Sequence, residues 1–378
     1  MIFRARMPTK NSWRTPDYTS RMQRPAIFFR SPHKLLSTQL IPTHDIVSVR
    51  QRPQRRRKMK TETIDIIIPA HNCADTIGDA IKSLDLQLCK DFKATVVIDG
   101  ADEKLEAVVE AAADSRPWLR CIKSNENKGA GAARNLGIMA SVSEWLMFLD
   151  ADDFLLPSAI ATMQQAIPER PEFVIGKTMR ESERGCYEVV GREQLTWLHG
   201  RMYNYSFLAA YNITFPNDLR MSEDLAFNMK CAELAKNVPE TSWPVHIQRW
   251  NGKSLSRRSG ASREQARTYI KACLDYAVNC VRAEREPEDL RLLPDALAAC
   301  YYYLDAVERL FPNDHELYAE MCRDFIRLAQ TVELPRLRTL PAWEARLARS
   351  LALPSRPYGT AYMPELTFEQ RFINATLK

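Results

Sequence analysis

At 378 residues, 45% hydrophobic and 26% charged, the chain is long enough for one large domain with an appendage. Its nine cysteines, odd in number and without a Cys-x-x-Cys pair, argue against a disulfide framework and a cysteine zinc site, and read as buried thiols in a reducing compartment. The net charge of +6 is local: residues 1–60 hold 15 Lys/Arg against 2 Asp/Glu, while residues 61–378 hold 38 against 45.

Residues 1–60 carry Pro8, Pro16, Pro25, Pro32, Pro42 and Pro53 and the run Arg55-Arg56-Arg57-Lys58, with no helical periodicity. Such a segment buries too little apolar surface to fold, so a disordered basic leader is expected. Three roles stand open for it: an electrostatic anchor to anionic lipid, an arm for nucleic-acid phosphates, or a stretch foreign to the native protein, with Met59 as the start. The last is preferred and lipid contact comes second. Arg-rich and acid-poor like a transit peptide, the leader lacks an amphipathic helix or a secretory apolar core.

From residue 64 the pattern changes. Ile64-Asp65-Ile66-Ile67-Ile68-Pro69-Ala70-His71-Asn72 reads as a strand entering a turn, followed by a helix through Ile77, Ala80, Ile81 and Leu84. A second strand ends in Val97-Ile98-Asp99-Gly100, with a helix over about 103–113. Residues 127–137 open a third helix, and Leu146-Met147-Phe148-Leu149 is a buried strand that stops at Asp150-Ala151-Asp152-Asp153. Strands alternating with helices predict an α/β fold with a doubly wound, mostly parallel sheet flanked by helices. The polar strand ends fall on one edge, where such sheets bind ligands.

Asp150 and Asp152 at that edge suit a hard divalent cation, Mn²⁺ or Mg²⁺, which takes one or two carboxylates together with substrate phosphates. An acidic turn after a strand is the plain alternative. Ser222-Glu223-Asp224 precedes the apolar pattern Leu225, Phe227, Met229, Ala232, Leu234; Ser222 is placed to cap that helix, and its first-turn acids complement the helix dipole. The glycine-rich 127–137 segment lacks the Gly-Lys-Ser/Thr ending of a P-loop, so its small residues are expected to let a helix pack closely on the sheet.

In order and spacing, Ile67–Asn72, Val97–Gly100, Ala132–Ile138, Phe148–Asp153 and Ser222–Asp224 resemble the family 2 inverting glycosyltransferases, nucleotide-sugar enzymes of the GT-A fold. The likeness covers roughly residues 62–258 and ends in Arg249 and Ser254, near where the family often carries an Arg and a Ser. It implies Asp99 as the reader of the nucleotide base, Asp150 facing ribose and cation, and Asp152 ligating the cation. Asp224 matches the catalytic base, with Glu223 beside it. Pro69, His71 and Asn72 match the loop that skirts the nucleotide. Arg134 falls near the nucleotide and the metal motif, as an ion-pair partner or a nucleotide contact. His199, Arg201 and Trp250 fall on the acceptor side, although the family often has Trp and Lys where His199 and Arg201 stand. It commonly has Asp-Asp-Gly-Ser where this chain has Ile98-Asp99-Gly100-Ala101.

The implied reaction moves a sugar from a nucleoside-diphosphate sugar, UDP-sugar foremost, to a glycan or lipid-linked acceptor in surface polysaccharide biosynthesis. One carboxylate takes the acceptor proton, and a divalent cation stabilises the departing diphosphate. A sugar-nucleotide pyrophosphorylase would share fold and metal, but needs a Gly-rich loop with Arg where Pro69-Ala70-His71-Asn72 stands. The non-enzymatic alternative is a nucleic-acid-binding protein acting through the basic leader.

Beyond about residue 262, Tyr269, Ile270, Cys273, Leu274 and Ala277 fall at helical spacing, as do Leu297, Tyr301, Leu304, Val307 and Leu310, then Leu317, Met321, Phe325 and Leu328. Three or four amphipathic helices are expected. The chain thus divides into a leader (1–60), a glycosyltransferase domain (61–258) and a helical region (259–378) serving acceptor binding, assembly or membrane approach. The stretch 343–353 has a face that also suits a membrane surface. With no apolar run of the roughly 20 residues a span requires, the expected location is cytoplasmic, at most peripheral on the inner face of the membrane.

Overall fold

The computed structural model describes residues 63–182, 185–192, 197–252 and 261–352; the leader and Ser254 lie outside them. The chain runs β1 (Ile64–Ala70), α1 (Ile77–Asp85), β2 (Phe92–Asp99), α2 (Glu103–Ala113), β3 (Leu119–Ser124), α3 (Ala130–Ala140) and β4 (Trp145–Phe148). Then come β5 (Phe154–Leu155), α4 (Ala159–Gln164), β6 (Phe173–Glu181), β7 (Tyr187–Val190), β8 (Arg201–Asn204), α5 (Tyr205–Ala210), α6 (Glu223–Leu234) and β9 (Glu240–Gln248). Helices α7 (Ala261–Arg282), α8 (Leu293–Leu310), α9 (His315–Thr331), α10 (Leu334–Leu337) and α11 (Pro341–Ala352) complete the described part.

All the described strands join one sheet in the order β3-β2-β1-β4-β8-β6-β9-β5, with β7 added to β6. The β3-β2-β1-β4 half is parallel throughout, as the strand–helix alternation requires. In the other half β8 runs antiparallel to both β4 and β6, and only the β6–β9 pair is parallel. Helices cover both faces, which is why β1 reads as an apolar run broken only by the buried Asp65, which pairs with Arg120. Ile66 and Ile68 join a core with Ile77 and Ile81 of α1, while Ile67 faces Ala133 and Ile138 of α3. Pro69 costs this central strand no ladder bond. The Ile67 carbonyl accepts from Leu149 (3.1 Å), so Pro69, two residues on, points its backbone past the last paired residue of β4.

Two placements govern the functional edge. Gly137 of α3 lies so close to β1 that a Cβ there would come within 2.4 Å of Ile67 Cγ2. Close packing is therefore the role of this glycine, and it brings Arg134, one turn earlier, down to the strand ends. Helix α6 is buried nearly all round, including Asn228, Lys230 and Glu233. Glu233 accepts from Tyr276 Oη of α7 and from the backbone N–H of Arg291 and Leu292, each at 2.9 Å. Lys230 pairs with Asp275 of α7 and donates to the Thr214 carbonyl (2.7 Å). The helical region thus encloses α6, the helix that begins with Glu223 and Asp224. Ser222 does not cap it as expected: it sits at φ 63° without a side-chain cap bond, and its hydroxyl meets Thr268 Oγ1 at 3.1 Å.

The Gly137 contact sets a paired expectation. Gly137→Ala should destabilise the protein by about 1–3 kcal/mol, the usual cost of overpacking. Gly78→Ala in α1, where nothing lies within 4 Å, should stabilise by up to about 1 kcal/mol through helix propensity. Urea denaturation of both variants checks the pair; a Gly137→Ala protein as stable as the parent would refute the close approach.

Candidate active site at the polar edge of the sheet

The ends of β1 and β2 and the loop into α3 are tied through one imidazole. His71 Nδ1 lies 2.8 Å from the Asp99 carbonyl, so it carries the proton and donates. Its Nε2 then accepts from the side-chain amides of Asn127 (2.8 Å) and Asn72 (2.9 Å). Asn72 holds φ 51°, a left-handed conformation that Asn tolerates. The Asp99 carboxylate is buried and accepts from the backbone N–H of Lys128 (2.8 Å) and Gly129 (2.7 Å), which closes the loop over the strand end. Arg220 donates to the Asn127 carbonyl at 2.8 Å from the far side.

The next tie is a salt bridge with three members. Arg134 is buried, with its guanidinium 5.4 Å over the Phe215 ring. Nη2 donates to Asp150 Oδ1 at 2.9 Å and Nη1 to Glu223 Oε1 at 2.8 Å. One side chain from α3 therefore joins the end of β4 to the start of α6. Asp224, half-buried beside Glu223, accepts from the N–H of Leu225.

Around Asp150 stands a cluster that shares only this residue with the expected metal pair. Ligand atoms of Asp150, Asp153 and His199 lie within 4.8 Å of one another. His199 Nε2 is 3.4 Å from Asp150 Oδ2 and 3.6 Å from Asp153 Oδ2, and His246 Nε2 is 3.5 Å from the same Asp153 oxygen. His199 Nδ1 and both ring nitrogens of His246 are buried without a hydrogen-bond partner. Two carboxylates with an imidazole and orphaned ring nitrogens at the ligand edge of the sheet fit a divalent cation. Asp152 is not in this group; its carboxylate accepts from Asn251 Nδ2 at 2.8 Å. His199, expected on the acceptor side, faces the aspartates instead. Arg201 departs from its acceptor expectation too: it is 2% exposed and donates to the Trp197 and Gly191 carbonyls. Trp250 lines an open cleft of about 550 Å³ with Phe154, Glu181, Tyr187 and Arg249. The N–H of Trp250 donates to Glu181, and that of Arg249 to Asp153 Oδ1 (both 2.9 Å), fastening the cleft to the acidic cluster.

Residues 65–217, which carry most of these groups, match the glycosyl transferase family 2 model. EpsH of Bacillus subtilis (strain 168), assigned by name to the glycosyltransferases, is 24% identical over 224 residues, 53% of this chain and 64% of its own length. WfaP of Escherichia coli, a UDP-Glc:alpha-D-GlcNAc-diphosphoundecaprenol beta-1,3-glucosyltransferase, is 33% identical over 100 residues, 26% of this chain and 39% of its own length. The chain thus spans less than two thirds of either relative. In fold it resembles the crystal structure of S. aureus TarS 1-349 in complex with UDP-GlcNAc, with a TM-score of 0.58 at 19% identity over 76% of this chain and 89% of that one.

At this edge of the sheet, burial and charge act together on the site's acids. Burial raises the Asp150 carboxyl, but the Arg134 and His199 charges outweigh it and hold the group well below the usual carboxylate range. Burial pushes Asp153 up to about 8, with His199 opposing and the Asp150 and Asp152 charges adding. Burial and the neighbouring Asp224 charge push Glu223 up to about 7 against the pull of Arg134. Burial lowers the His199 imidazole, yet its bond to Asp150 and the nearby carboxylates raise it overall. Burial and the His199 charge drive His246 well below its ordinary value, so it is neutral.

Asp153, Glu223 and His199 all bind protons more tightly folded than unfolded. Between the ordinary carboxylate range and about pH 8 the folded state therefore holds more protons, and stability falls as pH rises through that window. Asp150 has the opposite sign, confined to lower pH, and His246, held below its ordinary value, opposes the decline up to about pH 6.5 without cancelling the larger number of raised groups. Urea denaturation of the chelator-treated protein should show this decline, and Glu223→Gln should flatten it between pH 4.5 and about 7. Stability that rises with pH there, or an unchanged slope in the variant, would contradict these electrostatics.

Proposed function

We propose that the chain is a metal-dependent inverting glycosyltransferase of GT-A type. It transfers a hexosyl or N-acetylhexosaminyl group from a UDP-sugar to a glycan or lipid-linked acceptor in surface polysaccharide synthesis. The observation that carries the proposal is the Arg134 bridge, which joins the carboxylate-bearing end of β4 to the helix start that holds Asp224. WfaP acts by name with a UDP-sugar on a diphosphoundecaprenol-linked acceptor, and TarS, of similar fold, binds UDP-GlcNAc; both support this choice of donor and acceptor class.

In this mechanism Asp224 accepts the proton of the acceptor hydroxyl. The acceptor oxygen bonds to the anomeric carbon as the bond to the diphosphate breaks, in line and with inversion. Arg134 and the dipole of α6 hold Glu223 and Asp224 in place. The loop carrying His71 and Asn72, with Pro69 before it and Asp99 across from it, receives the nucleotide, while Asp150 faces its ribose and Trp250 the acceptor. A divalent cation, Mn²⁺ or Mg²⁺, would be held at the Asp150–Asp153 turn, with Asp152 the ligand expected from the sequence, and would supply Lewis-acid stabilisation of the leaving diphosphate. Among the described residues no helix is long and apolar enough to cross a membrane, and a lipid-linked acceptor would be met from the membrane surface.

Calorimetric titration with UDP, GDP and dTDP, with and without Mn²⁺, tests the proposal. Metal-dependent binding of UDP is expected. Asp224→Asn should keep that binding and slow UDP release from UDP-GlcNAc or UDP-Glc by at least about 100-fold, the usual worth of a general base. A folded protein that binds none of the three nucleotides would refute it.

A further inference from the structure

We propose that the cleft beside Trp250 is a saccharide subsite: it holds a neutral pyranose of the acceptor glycan, other than the residue that receives the new sugar. This rests on the transferase reading and extends it from one acceptor hydroxyl to a chain of sugars.

Position along the edge makes the first argument. Asp224 stands beside Glu223 at the start of α6, and Arg134 joins that start to Asp150. Three residues on, Asp153 accepts from the N–H of Arg249. There the cleft opens, between Asp79 of α1, Phe154 of β5 and Tyr187 of β7. The chain of contacts from the cleft to Asp224 thus runs through the acidic turn, Arg134 and Glu223. That sets a sugar held in the cleft apart from the hydroxyl that Asp224 would deprotonate.

The rings make the second. Tyr187 is 50% exposed although its side chain is large and partly apolar, and it lines the cleft with Trp250. One carboxylate steadies both: Glu181 Oε1 accepts from the Tyr187 hydroxyl, and Oε2 from the Trp250 N–H at 2.9 Å. Phe154 forms a further wall, with the Arg249 guanidinium 4.7 Å over its ring. Rigid aromatic side chains offer broad contact at little entropic cost, and the C–H face of a pyranose is flat enough to use it. The cleft volume of about 550 Å³ lies within the roughly 300–1,000 Å³ of small-molecule sites.

The polar groups make the third, because they are loosely paired. Arg249 stands 3.8 Å from Asp79 Oδ2, and the Tyr187 hydroxyl is 3.3 Å from Glu181, against roughly 2.5–3.0 Å for a good O–H···O bond. A sugar hydroxyl donates and accepts at once, so it can bond to either member of such a pair. An ammonium ligand only donates, and a carboxylate only accepts. Two carboxylates against one guanidinium also disfavour an anionic sugar.

Saturation-transfer NMR on the full chain, with and without UDP and Mn²⁺, tests the subsite. The probes are neutral trisaccharides of glucose, galactose, mannose and N-acetylglucosamine, with methyl glucuronide, glucose 6-phosphate and choline as charged counterparts. At least one neutral trisaccharide should bind the unsubstituted protein, a readout independent of how any variant folds, and the charged probes should not. Tyr187→Ala should weaken that binding by on the order of 10-fold, as loss of an aromatic anchor does, and Tyr187→Phe, which keeps the ring, should weaken it less. No trisaccharide bound under either condition, binding unchanged in Tyr187→Ala, or preference for a charged probe would each overturn the assignment. UDP calorimetry with Mn²⁺ on the unsubstituted protein separates the two failures. UDP bound without any trisaccharide strikes the subsite and leaves the transferase reading, whereas a folded protein that binds no UDP removes that reading itself.

Discussion

The functional edge depends on one buried guanidinium. Arg134 comes from α3, and its two carboxylate partners come from β4 and from α6. A buried Arg is tolerable only with its charge matched, and here two acids share the task. Arg134 lowers both acids, and their other neighbours make them diverge. Asp150, with His199 as a second cationic neighbour, stays ionised, while Glu223, crowded by Asp224, is pushed up to about 7. The bidentate fork suits Arg and not Lys, because two separate carboxylates must be met by one planar group.

What holds Arg134 there is packing on both sides. Gly137 lets α3 settle onto Ile67 of the central strand, and Phe215 lies under the guanidinium in a stack with Phe227 of α6, ring centroids 4.0 Å apart. Helix α6 is held in turn by Lys230 and Glu233, whose partners belong to α7 and to the approach to α8. The C-terminal helices thus have a structural task inside the site's own support: they make α6 a core helix and fix the start from which Asp224 projects.

The parallel half of the sheet and its polar edge were legible in the sequence because strand–turn–helix units leave local signatures: an Ile run ending in Pro-Ala-His-Asn, a Val run ending in Asp-Gly, an apolar run ending in acids. The small residues of 127–137 were also legible as a close-packing surface, as Gly137 bears out. The antiparallel half was not, since the β8 and β9 pairings join residues far apart in the chain. Nor were Asp153 and His246 legible as members of a cluster. Asp153 is one of three acids within four residues, and His246 is one of several polar residues in its strand. Only the sheet brings β9 beside β5 and so beside Asp153. The surroundings of His199, beside the aspartates, and of Arg201, in the core, were likewise set by contacts distant in the chain. Ser222 misled because a helix start with Ser before two acids has the form of a cap, whereas the left-handed turn there turns its hydroxyl to Thr268 of α7.

The central claim is that Arg134 couples the end of β4 to the start of α6. A double-mutant cycle of Asp150→Asn and Glu223→Gln, measured by urea denaturation in the parent and again in an Arg134→Met background, tests it most directly. Independent sites add to within about 0.3–0.5 kcal/mol, and members of one ion-pair network depart from additivity by about 0.5–3 kcal/mol. The account predicts clear non-additivity in the parent that vanishes in the Arg134→Met background. Additive effects in the parent, or coupling that survives without Arg134, would contradict it.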